Sequence, residues 1–366
     1  MESVLTSLAE QIRSAAAAAT PLRIRGGGSK DFYGQQLVGA LLDTGALRGV
    51  TSYEPSELVV TVRAGTPLAE LEQLLQGQSQ FLPFEPPHFG AAATVGGMVA
   101  AGLSGPARAA SGGVRDYVLG LTLMSGQGRL LQFGGQVMKN VAGYDVSRLM
   151  AGSMGTLGLI TEVSLKVLPR PMAEATLRLE ADQADALRRL RAWAARPLPL
   201  DASAWMRVDG RGLLHLRLRG AQAAVHAACQ SMGGERVDAA PAHAFWQSLR
   251  EHSADVFTRP DDACLWRLSV PDTTGVMPLA GDDALLEWGG AQRWIHAGAA
   301  QAQALRDAAE RAGGTATLFR RAADGSAADT PVFHPLAPAL LQIHRALKQQ
   351  FDPAGIFGPG RMFAGL

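Results

Sequence analysis

The sequence predicts an α+β protein of two domains, and three observations predict it. The chain has 366 residues, 47% of them hydrophobic, which is enough to bury two substantial cores. Up to about residue 170, short strands alternate with glycine-rich turns. Beyond that point β-α-β runs recur twice, the pattern of a ferredoxin-like α+β cap. Pro169-Arg170-Pro171 punctuates the join. Residues 1–170 and 171–366 are therefore expected as two domains, the carboxyl tail returning to the first.

Taken in order, residues 1–19 read as a helix, with Val4, Leu5, Leu8 and Ile12 on one face and an alanine run behind them. A short strand, 22–25, runs into Arg25-Gly26-Gly27-Gly28-Ser29-Lys30. Three consecutive glycines let the backbone turn its N–H groups inward as an anion nest, although an isolated triplet also suits a surface turn. Short strands and turns fill 31–51. Leu58-Val59-Val60-Thr61-Val62 reads as a buried strand. Gly65-Thr66-Pro67 then breaks the chain, with Thr66 as cap, before Leu68, Leu71, Leu74 and Leu75 mark a helix face. In the next glycine-rich stretch Thr94 caps a helix whose N–H groups would face a ligand, or which simply packs tightly. Residues 112–121 lead from a turn into a strand, and a third glycine-rich turn, 152–158, feeds another.

The second half reads as strand 175–180, helix 182–195, strands 204–208 and 213–219, and helix 221–232. A helical connection, 242–252, leads to strands 264–270, 285–288 and 292–296, helix 299–312, strand 315–319 and a last helix, 336–350. Leu214, Leu216 and Leu218 alternate with His215, Arg217 and Arg219, the pattern of a half-buried strand.

Composition excludes several functions. The net charge of +1, with both signs dispersed, gives nucleic acid nothing to bind. Cys229 and Cys264 are the only cysteines, as expected of free thiols in a reducing compartment and too few for an iron–sulfur cluster. The eight histidines show no metal-ligand spacing, so no metal site is expected. There is no Gly-Lys dipeptide for a nucleotide loop, and Asp31 stands where a dinucleotide fingerprint needs its third glycine. The uncharged stretch 89–107 contains five glycines and Pro106, so it reads as packed loop and helix rather than a transmembrane segment. The amino terminus looks like a mature cytoplasmic start.

The RGGGSK loop, TVGGMVAAGLSGP, GGVRDYVLGL, KNVAGYDVSRLMAGSMGTLGLITEV and the terminal FDPAGIFGPGRM, in this order and spacing, resemble the FAD-binding subunits of glycolate oxidase. Those belong to the p-cresol methylhydroxylase and vanillyl-alcohol oxidase type of flavoproteins. The resemblance implies a two-subdomain p-cresol methylhydroxylase-type FAD-binding domain followed by the ferredoxin-like cap. It places Gly26, Gly27, Gly28 and Ser29 on the FAD pyrophosphate, and Thr94, Gly96, Gly97, Ser104 and Gly105 on pyrophosphate and flavin. Gly113, Val114, Gly158 and Ile160 would offer contacts toward the adenosine half. Relatives that bind FAD covalently carry His where this chain has Ser29, which implies non-covalent FAD. Gly358 replaces the usual Asn before Pro-Gly-Arg and is given no role.

Oxidising a 2-hydroxy acid needs a cation for the carboxylate, a base for the hydroxyl proton and a flavin to take the hydride. Lys139 and Asn140 are candidates for tuning the flavin. Arg148 is a candidate carboxylate clamp or a structural ion pair, and Arg293 either lines the cap or stacks on an indole. Single-chain 2-hydroxy-acid dehydrogenases of this resemblance carry a His-Gly motif that is absent here. The expected function is thus that of a subunit in a glycolate dehydrogenase, acting with a paralogous flavin subunit and an iron–sulfur subunit and reaching the inner face of the membrane through those partners. A stand-alone D-lactate-like dehydrogenase and a non-catalytic assembly subunit are the alternatives.

Overall fold

Four consecutive residues, Val59 to Val62, are buried because the strand Val59–Arg63 has a neighbour on each side. The computed structural model describes residues 1–135, 145–258, 260–278 and 284–366. These form two units: Met1–Leu103 with Gly113–Arg170 and Pro335–Leu366, and Ser104–Gly112 with Pro171–His334. The division is not linear, since a short excursion at 104–112 joins the second unit and the last helix, Pro338–Phe351, joins the first.

Two cores are seen among the described residues of the first unit. One lies under a five-stranded antiparallel sheet in the order Val50–Glu54, Val59–Arg63, Leu159–Lys166, Val118–Met124, Leu130–Gly134. Helices Leu68–Gly77 and Val95–Ala101 contribute Leu68, Leu71, Leu75, Val95 and Val99 to this core, whose sheet side includes Val60, Val62 and Val163. The other core gathers Leu8 and Ile12 of the helix Glu2–Ala17 with Leu22, Leu42, Ile356 and Phe357, around the parallel strands Leu22–Arg25 and Ala40–Asp43. The carboxyl tail is stitched to that pair: Leu22 N donates to Ile356 O at 2.7 Å, and Gly358 N donates to Leu22 O at 2.9 Å.

One local expectation is corrected and one holds. Thr66 does not cap the helix after it; Pro67 holds the N-cap position, and the buried Thr66 hydroxyl accepts from Gly49 N at 2.9 Å instead. The uncharged stretch forms only the seven-residue helix Val95–Ala101, stopped by Gly102 in the left-handed region (φ 63°). Among the described residues no helix is long and apolar enough to cross a membrane.

The second unit is built on one eight-stranded antiparallel sheet, and its order shows two ferredoxin-like halves. In the first, Ala173–Glu180, Leu200–Val208, Arg211–Gly220 and Glu235–Val237 lie in the spatial order 4-1-3-2, with helices Gln183–Ala194 and Gln222–Met232 between them in sequence. The second half repeats this order with Cys264–Ser269, Leu285–Glu287, Gln292–Ala297 and Thr315–Arg320, and keeps only the helix Ala302–Arg311 among the described residues. The second strands of the two halves pair through Ala204 with Glu287 and Trp205 with Leu286, which makes the sheet continuous.

Leu214, Leu216 and Leu218 enter the core with Leu187, Leu190 and Val225 of the helices. The opposite face of that strand is not open to solvent as expected, since His215 and Arg217 are also buried. Helix Ala239–Glu251 covers them: Phe245 stacks on His215 at 4.1 Å between ring centroids, and the Arg217 guanidinium lies 5.0 Å from the Trp246 ring. Arg217 is neutralised by Asp201, Nε to Oδ2 2.6 Å.

Burial, aided by the Arg178 charge, pulls the His215 pKa from 6.5 down to about 4. The unfolded chain therefore binds a proton there that the folded chain refuses, and stability that is complete above about pH 6.5 declines as pH falls toward 4, by up to about 3 kcal/mol. His215→Phe, which keeps a ring against Phe245, is expected to flatten the pH dependence of the urea midpoint between pH 7 and 5. An unchanged slope would remove His215 from the account.

Candidate cofactor-binding site

The strand Leu22–Arg25 ends in three glycines, and the structure shows why no other residue fits the first two. A Cβ on Gly27 would lie 1.4 Å from Ala92 O, and one on Gly26 would lie 2.3 Å from Thr94 Oγ1. Gly28 has φ +73°, where a side chain is strained. The loop thus lies in backbone contact with the 92–94 turn. In this geometry the N–H groups of Gly26, Gly27, Gly28 and Ser29, all half-buried, donate to no acceptor among the described residues. Four successive unpaired donors are a nest for an anion.

The loop is held from behind by Arg361. The residue is 6% exposed, and its guanidinium donates to the carbonyls of Tyr33, Gln35 and Asp31, the last at 3.1 Å. Burial lowers its pKa and the nearby Asp31 carboxylate opposes that shift. Its donors are directed at backbone, so it braces the loop. Cations nearer the nest are Arg25, paired with Asp31 at 2.7 Å, and Lys30, whose Nζ donates to His88 O at 3.2 Å and lies 5.6 Å from the Phe89 ring centroid. A further cation, Lys348, ties the tail by donating to Thr156 O at 2.8 Å and Phe357 O at 2.6 Å.

Gly26, Gly27, Gly28, Ser29, Thr94 and Gly97 line one cleft of about 100 Å³, joined by Tyr33, Met154 and Arg361. That is room for a diphosphate group rather than a whole dinucleotide. The expectation that the first turn of the helix Val95–Ala101 offers its N–H groups to a ligand is corrected. Val95 N donates to Thr66 O, Gly96 N to Ala64 O and Gly97 N to Thr94 Oγ1. What Gly97 brings to the cleft is the lack of a side chain, while Gly96 lies against Ala64, where a Cβ would meet another at 2.5 Å.

Other sequence-derived positions among the described residues do not line this cleft. Gly113 N donates to Asp116 Oδ2 at 2.8 Å, and Val114 and Ile160 are in the core. Gly158 allows Leu123 to approach. Ser104 and Gly105 group with the second unit, where Gly105 O accepts from Trp288 Nε1 at 3.1 Å. Lys139 and Asn140 lie outside the described residues. Arg148 pairs with Asp145, Nε to Oδ2 3.3 Å, one turn earlier on its own short helix. Arg293 neither lines an open face nor stacks on an indole. It is buried and donates to Thr274 O at 2.6 Å, Gly275 O at 2.8 Å and Gly290 O at 3.2 Å, with burial and Arg191 lowering its pKa to about 10. Arg361 was visible in the Pro-Gly-Arg turn of the tail, but nothing in its neighbours pointed to carbonyls more than 300 positions away.

Free N–H donors with Arg25 and Lys30 beside them fit the diphosphate of a dinucleotide. Residues 5–134 match the FAD binding domain family, and the first unit defines a FAD-binding oxidoreductase. The chain is 47% identical over 360 residues to glycolate oxidase subunit GlcE of Escherichia coli (strain K12), which covers 98% of this chain and 97% of the relative. It is 32% identical over 137 residues to glycolate oxidase subunit GlcD of Bacillus subtilis (strain 168), 37% of this chain and 29% of that one. Alkyldihydroxyacetonephosphate synthase shares the fold, with a TM-score of 0.66 at 15% identity over 96% of this chain and 74% of its own. The chain belongs to the family of FAD-binding glycolate oxidase subunits represented by the Escherichia coli protein.

Gly27→Ala is expected to drive the loop off the 92–94 turn and to weaken FAD binding about tenfold or more with the far-ultraviolet spectrum unchanged. Arg361→Ala should do the same by releasing three carbonyls. Flavin fluorescence titration reads both, and wild-type affinity in the two variants would dismiss the nest as the cofactor seat.

Proposed function

We propose that the chain is the FAD-carrying subunit of an assembly that oxidises glycolate to glyoxylate and passes the electrons to an iron–sulfur subunit, with a second, paralogous flavin subunit beside it. The reading is carried by the 47% identity along nearly the whole length to a glycolate oxidase subunit. Two cysteines in the entire sequence put any cluster on another chain. Bound FAD supplies the acceptor for the hydride of the 2-hydroxy acid. The Gly26–Ser29 amides hold its diphosphate, Arg25 and Lys30 lower the cost of that charge, and Arg361 fixes the loop that bears them. Ser29, in place of the histidine of covalent relatives, leaves the flavin non-covalent. Lys139 and Asn140 are the proposed tuners of the flavin, since an ammonium near the ring would favour the anionic reduced form.

The fuller substrate site is assigned to the paralogous flavin subunit. Arg148 and Arg293, the cations that the sequence offered for a substrate carboxylate, are engaged with Asp145 and with three carbonyls. Resemblance to D-lactate dehydrogenase of Anaerostipes hadrus, 34% over 139 residues, spans 38% of this chain and favours a shared cofactor half over a shared stand-alone activity. The assembly is placed in the cytoplasm, reaching the inner face of the membrane through its partners.

Acid precipitation of the purified chain is expected to leave all the FAD in the supernatant. Glycolate-dependent dye reduction should need the co-produced subunits, and Lys139→Ala should shift the flavin potential or slow that turnover. Full activity of the isolated chain with D-lactate or glycolate would sink the division of labour.

A further inference from the structure

The helix Pro338–Phe351 buries none of its side chains, yet it is not polar all round. Leu340, Ile343 and Leu347 follow the i, i+3, i+7 spacing of one face, and Leu340 and Ile343 are 49% and 54% exposed. Beside them is a hollow of about 200 Å³, lined chiefly by Leu149, Leu157, Leu347, Met362 and Leu366. Leu149 is itself exposed. An apolar helix face continuing into an apolar hollow is surface that a partner's side chains can fill.

Charge narrows the occupant. His344 and Lys348 line the hollow, Arg345 stands on the same helix, and no Asp or Glu side chain lines it. Asp352, just past the helix, is buried against Lys348 at 2.8 Å. Two copies meeting through this helix would set Arg345 against its equivalent with no carboxylate on the helix to offset it. A bilayer is a poorer fit as well. Lys348 is committed to Asp352 and two carbonyls, which leaves Arg345 as the exposed cation, and a flat lipid surface fills no hollow.

We propose that this face docks a different protein chain, which inserts an apolar cluster into the hollow and presents carboxylates to Arg345 and His344. Resting on the function proposed above, that chain is another subunit of the glycolate-oxidising assembly.

The test uses the FAD-loaded full chain and its co-produced subunits. The double variant Leu340→Glu/Ile343→Glu is expected to keep its flavin and its melting temperature, because both side chains are exposed, while its affinity for the other subunits falls about thirtyfold or more. Arg345→Glu should weaken assembly about tenfold and reduce its salt dependence. Assembly of the double variant with wild-type affinity overturns the docking surface alone. So does a homodimer, seen by sedimentation velocity, that the double variant abolishes. Flotation on phosphatidylcholine–phosphatidylglycerol vesicles that is lost in the double variant does the same. A wild-type chain that binds FAD but joins no other subunit overturns the surface together with the multisubunit reading.

Discussion

The contact between the Gly26–Gly28 loop and the 92–94 turn is the constraint on which the cofactor half depends. Two backbones approach so closely that a single methyl group at Gly27 would overlap a carbonyl oxygen. The contact turns four amides away from their neighbours, and those amides form the candidate site. Everything around it serves to keep the approach: the Thr94 cap, the parallel pair Leu22–Arg25 and Ala40–Asp43, and the buried guanidinium of Arg361. Glycine is required here for chain-to-chain packing, and the affinity for an anion follows from it.

Patterns of short range were legible in the sequence. Leu68, Leu71 and Leu75 fell on one face because a helix repeats every 3.6 residues, and the strand carrying Leu214, Leu216 and Leu218 followed from alternation. The glycine loop, too, could be read in place. What escaped reading was set by residues far along the chain. Thr66 looks like a cap until Gly49 takes its hydroxyl. His215 and Arg217 look solvent-facing until helix Ala239–Glu251 closes over them. Gly96, Gly158 and Ile160 carry the family pattern, yet their immediate contacts are with Ala64, with Leu123 and within the core. A glycine-rich motif mixes residues that line the cleft with residues that let the frame close, and spacing alone does not separate them.

The second unit distributes charge differently. The face of its sheet that packs the apolar core also takes in Arg293, while the opposite face buries Arg217, Glu287 and Gln292 with partners of their own. Such groups add little net stability, but removing one partner leaves the other stranded, so the sheet tolerates few substitutions there. Cationic side chains that suggested substrate binding in one dimension are consumed by this internal pairing in three.

The brace on the cofactor loop joins Arg361 to carbonyls laid down some 330 positions earlier. During synthesis the loop therefore emerges first and lacks this brace until the second unit has been made. An anion held in that nest gains the Arg361 brace only once the sequence of the second unit has been made, so a late segment of the chain steadies an early one.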